Sequence, residues 1–232
     1  MQEGNFGQKS CGKLYIVATP IGNLEDLTFR ALRILKNVSF IACEDTRQTI
    51  KLLNKYKFKK KLISYFKPRE RQKIPLIIDL LNGGKDVALV SDAGTPGISD
   101  PGFVLIKEAI ASGIEIVPIP GPSAVTTALS AAGLPTNRFL FLGFAPPKKA
   151  AVKKLLGFLK NETATLVFYL PARKLLAFLE IASETFPERT VVVAREITKI
   201  YEEFLRGRPD ELINKLADRT VKGEITILIG PS

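Results

Sequence analysis

Short apolar runs at 14–18, 38–43, 62–66, 86–90 and 114–119 are separated by segments whose apolar residues recur at helical spacing. The segment 27–38 places Leu27, Ala31, Ile34, Leu35 and Val38 on one stripe. A second segment carries Ile50, Leu53 and Tyr56, and two more span 74–81 and 103–111. A strand covered on both faces reads as a continuous apolar run, whereas a helix lying over it shows the 3.6-residue period. Strand–helix alternation of this kind predicts a parallel sheet whose helices are the crossovers.

At Pro118-Ile-Pro-Gly-Pro-Ser123 the texture changes, and three prolines make a rigid bend. The bend divides the chain into an expected tail at 1–12, an N-terminal domain at 13–119 and a C-terminal domain at 120–232. Ser123 is placed to cap a small-residue helix at 124–132. Strands are expected at 139–144, 165–170, 190–194, 201–205 and 224–229, with helices near 148–160, 172–185 and 209–218. The short spacing between Arg195 and Tyr201 suggests antiparallel pairing there, so the second sheet is expected to be mixed.

With 232 residues, 46% of them hydrophobic, the chain can bury a real core. No apolar run is long enough to cross a membrane. Cys11 and Cys43 form no CxxC and no disulfide framework, so a reducing cytoplasm is the natural compartment. Cys43 closes an apolar run and is expected to be buried. Histidine is absent, which excludes a His triad, a His-ligated metal and a His general base; no metal site is expected. Net charge is +11, which favours a polyanionic partner. The basic residues cluster as Lys57, Lys59, Lys60 and Lys61; as Lys67, Arg69, Arg71 and Lys73; and as Lys148, Lys149, Lys153 and Lys154.

In a parallel sheet, ligands bind beyond the carboxyl ends of the strands. The loops at that edge are 19–23, 44–47, 91–102 and 118–124, joined by 170–173 and 195–199 from the second half. The loop Ser-Asp-Ala-Gly-Thr-Pro-Gly-Ile-Ser-Asp-Pro-Gly at 91–102 is shaped by its glycines and prolines. It reads either as a tight strand-to-helix turn or as the wall of a ligand cradle. No G-x-G-x-x-G follows the first strand and no G-x-x-x-x-G-K-[ST] occurs, so a dinucleotide fingerprint and a P-loop are both absent. A pocket of backbone and small side chains with carboxylates at its rim suits a nucleoside-like cofactor.

Four ordered motifs carry a resemblance. They are Leu-Tyr-Ile-Val-Ala-Thr-Pro-Ile-Gly-Asn-Leu-Glu-Asp-Leu-Thr at 14–28, Ala-Cys-Glu-Asp-Thr-Arg at 42–47, the loop 90–102, and Pro-Gly-Pro-Ser-Ala at 120–124. Together with Arg-Glu-Ile-Thr-Lys at 195–199, Tyr-Glu-Glu at 201–203 and Gly-Glu at 223–224, they resemble the tetrapyrrole-methylase superfamily. More narrowly they resemble its ribosomal RNA small subunit methyltransferase I family. The resemblance implies an α/β chain of two domains, a parallel-sheet N-terminal domain and a mixed-sheet C-terminal domain, with S-adenosylmethionine in the cleft between them. It implies a homodimer acting on 16S rRNA or the 30S subunit, and 2′-O-methylation of a cytidine ribose in the decoding centre. Carried over by motif, Ile21, Thr95, Ile98, Ser99, Asp100, Ser123, Ala124, Leu170, Ala194, Gly223 and Glu224 would hold the cofactor.

The chain departs from the family pattern in two places. Where the family commonly has a His-containing run after Ile63-Ser-Tyr65, this chain has Phe66-Lys-Pro-Arg-Glu70. Where it commonly has a second histidine after Phe168-Tyr169, this chain has Leu170-Pro-Ala-Arg-Lys174. Many members also continue into a helical tail, whereas this sequence stops soon after the last expected strand.

A ribose hydroxyl is a poor acid, so its methylation calls for a base or a neighbouring cation. The charged candidates are Glu44, Asp45 and Arg47, with Arg195, Glu196 and Lys199. The arginines and the lysine suit phosphate positioning, and the carboxylates suit proton acceptance. The same six residues would equally make a salt-bridge network between the domains. Two other functions fit the pattern less well: a methyltransferase of this fold acting on a tetrapyrrole or other small molecule, and an RNA-binding module without catalysis.

Overall fold

A computed structural model describes residues 11–231. The expected tail therefore lies, as far as residue 10, outside the described residues. Two compact units emerge, one ending at Pro122 and one beginning at Ser123.

The first unit contains β1 (Leu14–Val17), α1 (Phe29–Asn37), β2 (Phe40–Cys43), α2 (Thr46–Lys55), β3 (Lys61–Ser64), α3 (Glu70–Asn82), β4 (Val87–Val90), α4 (Phe103–Ala111) and β5 (Ile116–Ile119). Its sheet runs β3-β2-β4-β1-β5, and every pairing in it is parallel. The alternation of strand and helix motifs thus gives the sheet that it predicts. Side chains on successive residues of a strand point to opposite faces, so each strand feeds two cores. Val87 and Leu89 of β4 join Ile74, Ile77, Leu81 and Leu105 from α3 and α4. Ala88 and Val90 join Ala31, Leu35, Leu52 and Leu53 from α1 and α2. Cys43 is fully buried in this second cluster, as its place at the end of an apolar run implies. Pro118 sits within β5, which pairs on one side only, and an edge strand tolerates the missing donor.

The second unit contains α5 (Ala124–Ala132), β6 (Phe139–Phe144), α6 (Lys149–Phe158), β7 (Thr165–Pro171), α7 (Leu175–Thr185), β8 (Val191–Arg195), β9 (Glu203–Gly207), α8 (Pro209–Leu216) and β10 (Glu224–Ile229). The sheet order is β6-β7-β10-β8-β9. Only β6–β7 is parallel, so the sheet is mixed as expected. β8 and β9 form the antiparallel pair, but β9 begins at Glu203 rather than at the expected residue 201. The intervening chain turns instead: Glu196 and Thr198 have positive φ, and the Lys199 and Glu202 amides close turns on Glu196 and Lys199. Ile200 and Tyr201, which look like strand residues, are largely exposed.

Candidate functional site

Strand order fixes where the first unit can form a cleft. The chain leaves β2 toward β3 at one side of the sheet and leaves β4 toward β5 at the other. β2 and β4 are neighbours, so their carboxyl-end connections diverge. Such a divergence opens the crevice in which open α/β sheets bind ligands. The loop after β2 carries Glu44, Asp45 and Arg47, and the loop after β4 is 91–102. Asp92 ties them together: its Oδ1 accepts the Asp45 amide at 2.9 Å.

Asp45 is committed locally. It caps α2 by accepting the Arg47 amide at 2.8 Å, and its other oxygen takes the Arg47 guanidinium at 2.7 Å. These bonds hold its carboxyl down to about 2. Glu44 is different. Among the described residues it has no hydrogen bond or ion pair, and loss of hydration pushes its carboxyl up. The charges of Asp100 and Asp92 add to that push and Lys67 opposes it. Asp100 and Asp92 are likewise raised, in both cases chiefly by loss of hydration. The Ser91 hydroxyl beside Asp100, and the Asp45 amide at Asp92, only soften the effect.

The glycine-rich loop is pinned at both ends of its span. Thr19 and Gly94 exchange two backbone hydrogen bonds of 2.9 Å, which lays the loop against the one after β1. Gly94 has a φ of +79°, and a Cβ on it would sit 3.4 Å from Cγ2 of Ile21. Gly102 has a φ of +145° with Cδ2 of Leu89 3.1 Å from where a Cβ would be. The Thr95 hydroxyl donates to the Pro122 carbonyl at 3.3 Å. Ser99 is left-handed at φ +67°, and its carbonyl accepts Nζ of Lys67 at 3.1 Å. Ile98 is half exposed on the same loop. Asp100 does not cap the following helix; Gly102 holds that position.

In the second unit, β7 and β8 both run antiparallel to β10, so their carboxyl ends lie at one edge. The register sets Pro171 opposite Glu224, and Leu170 and Arg195 on either side of Ile225. Leu170 and Ala194 are buried strand residues. Lys199 donates to Glu196 at 2.9 Å and to Glu224 at 3.0 Å. The Glu224 amide donates to the same Glu196 carboxylate, and a Cβ on Gly223, at φ +96°, would overlap that carboxylate. Burial works to raise Glu196, but Lys199 and the Glu224 amide outweigh it and the carboxyl is lowered overall. Arg195 pairs with Glu203 at 3.1 Å, and Arg219 reaches the same oxygen at 2.9 Å. Ser123 stands at the cap of α5 without a side-chain hydrogen bond, and Ala124 opens that helix.

The six charged candidates therefore divide. Asp45 with Arg47, Arg195 with Glu203, and Glu196 with Lys199 are ion-paired within their own units, while Glu44 stands alone. Sequence reasoning missed Asp92, Lys67 and Glu203 as members of these clusters. Asp92 lies inside a motif already singled out, but its partner is 47 residues away and nothing local marks the pairing.

A chain with this parallel sheet, this divergence of strands and this pinned loop belongs to the tetrapyrrole (corrin/porphyrin) methylases, whose sequence pattern matches residues 13–213. It is a methyltransferase, with curated relatives named ribosomal RNA small subunit methyltransferase I. One from Hydrogenobaculum sp. is 48% identical over 94% of this chain and 95% of its own length. Another from Thermotoga maritima is 46% identical over 94% of this chain and 98% of its own. Solved structures share the fold. The cobalamin-biosynthetic cobalt precorrin-4 methyltransferase CbiF superposes with a TM-score of 0.70 at 19% identity, covering 98% of both chains. Diphthine synthase gives 0.73 at 15% identity, covering 94% of this chain and 90% of that one.

Proposed function

We propose that the protein transfers a methyl group from S-adenosylmethionine to the 2′-hydroxyl of a cytidine ribose in the decoding centre of 16S rRNA. The observation that carries this reading is the carboxylate set at the β2/β4 divergence. Glu44 and Asp100 are partly buried with no cation paired to either, beside a loop whose backbone is pinned in left-handed conformations. Partly buried negative charge without a counter-ion is costly unless a ligand supplies the cation. S-adenosylmethionine carries two cationic centres, its sulfonium and its ammonium, and a ribose diol that carboxylates can accept. The group therefore fits the residues present.

When bound, it would supply an electrophilic methyl on a sulfonium whose positive charge is lost as the methyl leaves. Ile21, Thr95, Ile98, Ser99 and Asp100 would hold it in the first unit. Ser123, Ala124, Leu170, Ala194, Gly223 and Glu224 are the corresponding candidates in the second. Glu44 is the best proton acceptor of the three weighed from sequence, because its raised carboxyl is the most basic; Asp45 and Glu196 are held low by their cations. Alignment supplies the rest, worth up to roughly 7–11 kcal/mol in favourable cases.

Tritiated methyl transfer to 30S subunits, naked 16S rRNA and a precorrin-type tetrapyrrole, run in parallel, tests the reading. Label in a 2′-O-methylcytidine after nuclease digestion is the expected result. Label in the tetrapyrrole alone overturns it, and so does the absence of S-adenosylmethionine binding by calorimetry at millimolar donor.

A further inference from the structure

Three basic clusters punctuate the sequence, and the structure treats them differently. Lys57, Lys59, Lys60 and Lys61 precede and open β3, so they lie at the amino edge of the sheet. That edge is a strand length, roughly 10 Å, from the crevice side. Two of the four are also occupied: Lys60 donates to the Val38 carbonyl at 2.8 Å, and Lys61 lies over the Phe40 ring. In the third cluster, Lys149 and Lys153 are ion-paired with Glu180 and Glu184.

The second cluster follows the carboxyl end of β3, the strand beside β2, and so stands at the same edge as Glu44 and the glycine-rich loop. Lys67 touches that loop at the Ser99 carbonyl. Arg69 and Arg71 are exposed, and among the described residues neither they nor Lys73 has an ion-pair partner. Their one acidic neighbour in the turn, Glu70, accepts the Tyr65 hydroxyl at 3.4 Å. Arg71 and Lys73 lie in the first turn of α3, where the helix dipole disfavours cations by about 0.3–1 kcal/mol each. Stability of the fold does not account for this placement.

We propose that Arg69, Arg71 and Lys73 form the surface that takes the phosphodiester backbone of the RNA substrate, delivering it to the edge where Glu44 and the glycine-rich loop lie. The proposal rests on the methyltransferase reading above. It makes Lys67 the joint between that surface and the loop, and it leaves the other two basic clusters as solvated faces.

The test uses the full chain and a 30-nucleotide single-stranded RNA, with binding measured from 50 to 300 mM salt. Each phosphate contact on a single strand adds about 0.7 to the slope of log K against log salt. The triple variant R69A/R71A/K73A should lose about 2 from that slope, while its affinity for S-adenosylmethionine stays within twofold of wild type. The charge-keeping variant R69K/R71K should retain the wild-type slope, and K149A/K153A should retain it as well. A thermal melt of the triple variant at or above the wild-type midpoint shows that the loss is not unfolding. The proposal is overturned if the triple variant keeps the wild-type slope, or if K149A/K153A loses as much. It is equally overturned if the triple variant loses binding to phosphatidylglycerol vesicles while its RNA binding is unchanged. Because these readings are of binding, they stand apart from failure of the methyl-transfer assay, which tests the reaction itself.

Discussion

Glu44 and Asp45 are neighbours in sequence and opposites in chemistry. Asp45 is consumed by the cap of α2 and by Arg47, whereas Glu44 is left basic and unpaired. Replacing Glu44 with Gln should lower kcat by about 10²–10⁴. Asp45→Asn should act mainly on the helix terminus, seen as a lower melting temperature with a smaller loss of turnover. Single-turnover methylation beside thermal melts separates the two. Asp100 offers the converse case. Its carboxyl is raised in the fold, so the folded chain holds that proton more tightly than the unfolded chain does. The sign follows: this contribution favours folding at low pH and is lost as pH rises from about 4 through the raised value. Asp45, held down to about 2, contributes in the other direction, stabilising above about pH 4 and failing as pH falls toward 2. Asp100→Asn should therefore raise the melting temperature at pH 7 and give no gain at pH 3, while weakening S-adenosylmethionine binding. A midpoint unchanged at pH 7 would falsify that account of the site.

At the scale of elements, the glycine-rich loop is held by geometry that one methyl group would break. Gly102 lies at φ +145°, with Leu89 and the Gly97 amide 3.1 and 3.3 Å from the position a Cβ would take. Gly102→Ala should cost about 1–3 kcal/mol in urea unfolding and loosen the cofactor loop along with it. Four strands of the first unit, β1, β2, β4 and β5, were legible because each is a continuous apolar run that feeds both cores; the edge strand β3, at 61–64 rather than 62–66, is bounded by Lys61 and Ser64 and only its middle carries that signal. The site was legible only as a set of loops. Which strands adjoin is a property of the sheet, and β4 inserting between β1 and β2 has no local mark in the chain. That insertion, rather than any motif, sets Asp92 against Asp45. Strand β9 was misplaced by two residues for a related reason. Ile200 and Tyr201 have strand-forming side chains, but left-handed Glu196 and Thr198 spend those residues on a turn.

On the scale of the molecule, the apolar clusters close within their units. Both clusters of the first unit draw only on residues up to Ile119, and the cluster of the second only on residues from Leu142 onward. A fragment spanning 13–122 should thus unfold cooperatively on its own, with helical circular dichroism and a single urea transition. A gradual, non-cooperative loss of signal would show that the first unit needs the second. The net charge of +11 was readable from composition, but not its direction. The carboxylates of α7, set against Lys149 and Lys153 of the third cluster's four lysines, and the position of residues 67–73 beyond β3 distinguish a half-neutralised face from an available one.

Cys43 ends β2 one residue before Glu44, fully enclosed and with its thiol pushed up by that burial, whereas Cys11 is exposed. The chain thereby has one addressable thiol and one sealed one. Native protein should take up one equivalent of iodoacetamide rapidly, and a second only as fast as the sheet around β2 opens. Alkylation of Cys43 is thus a clock for the breathing of the floor beneath Glu44, and a ligand that settles there should slow it.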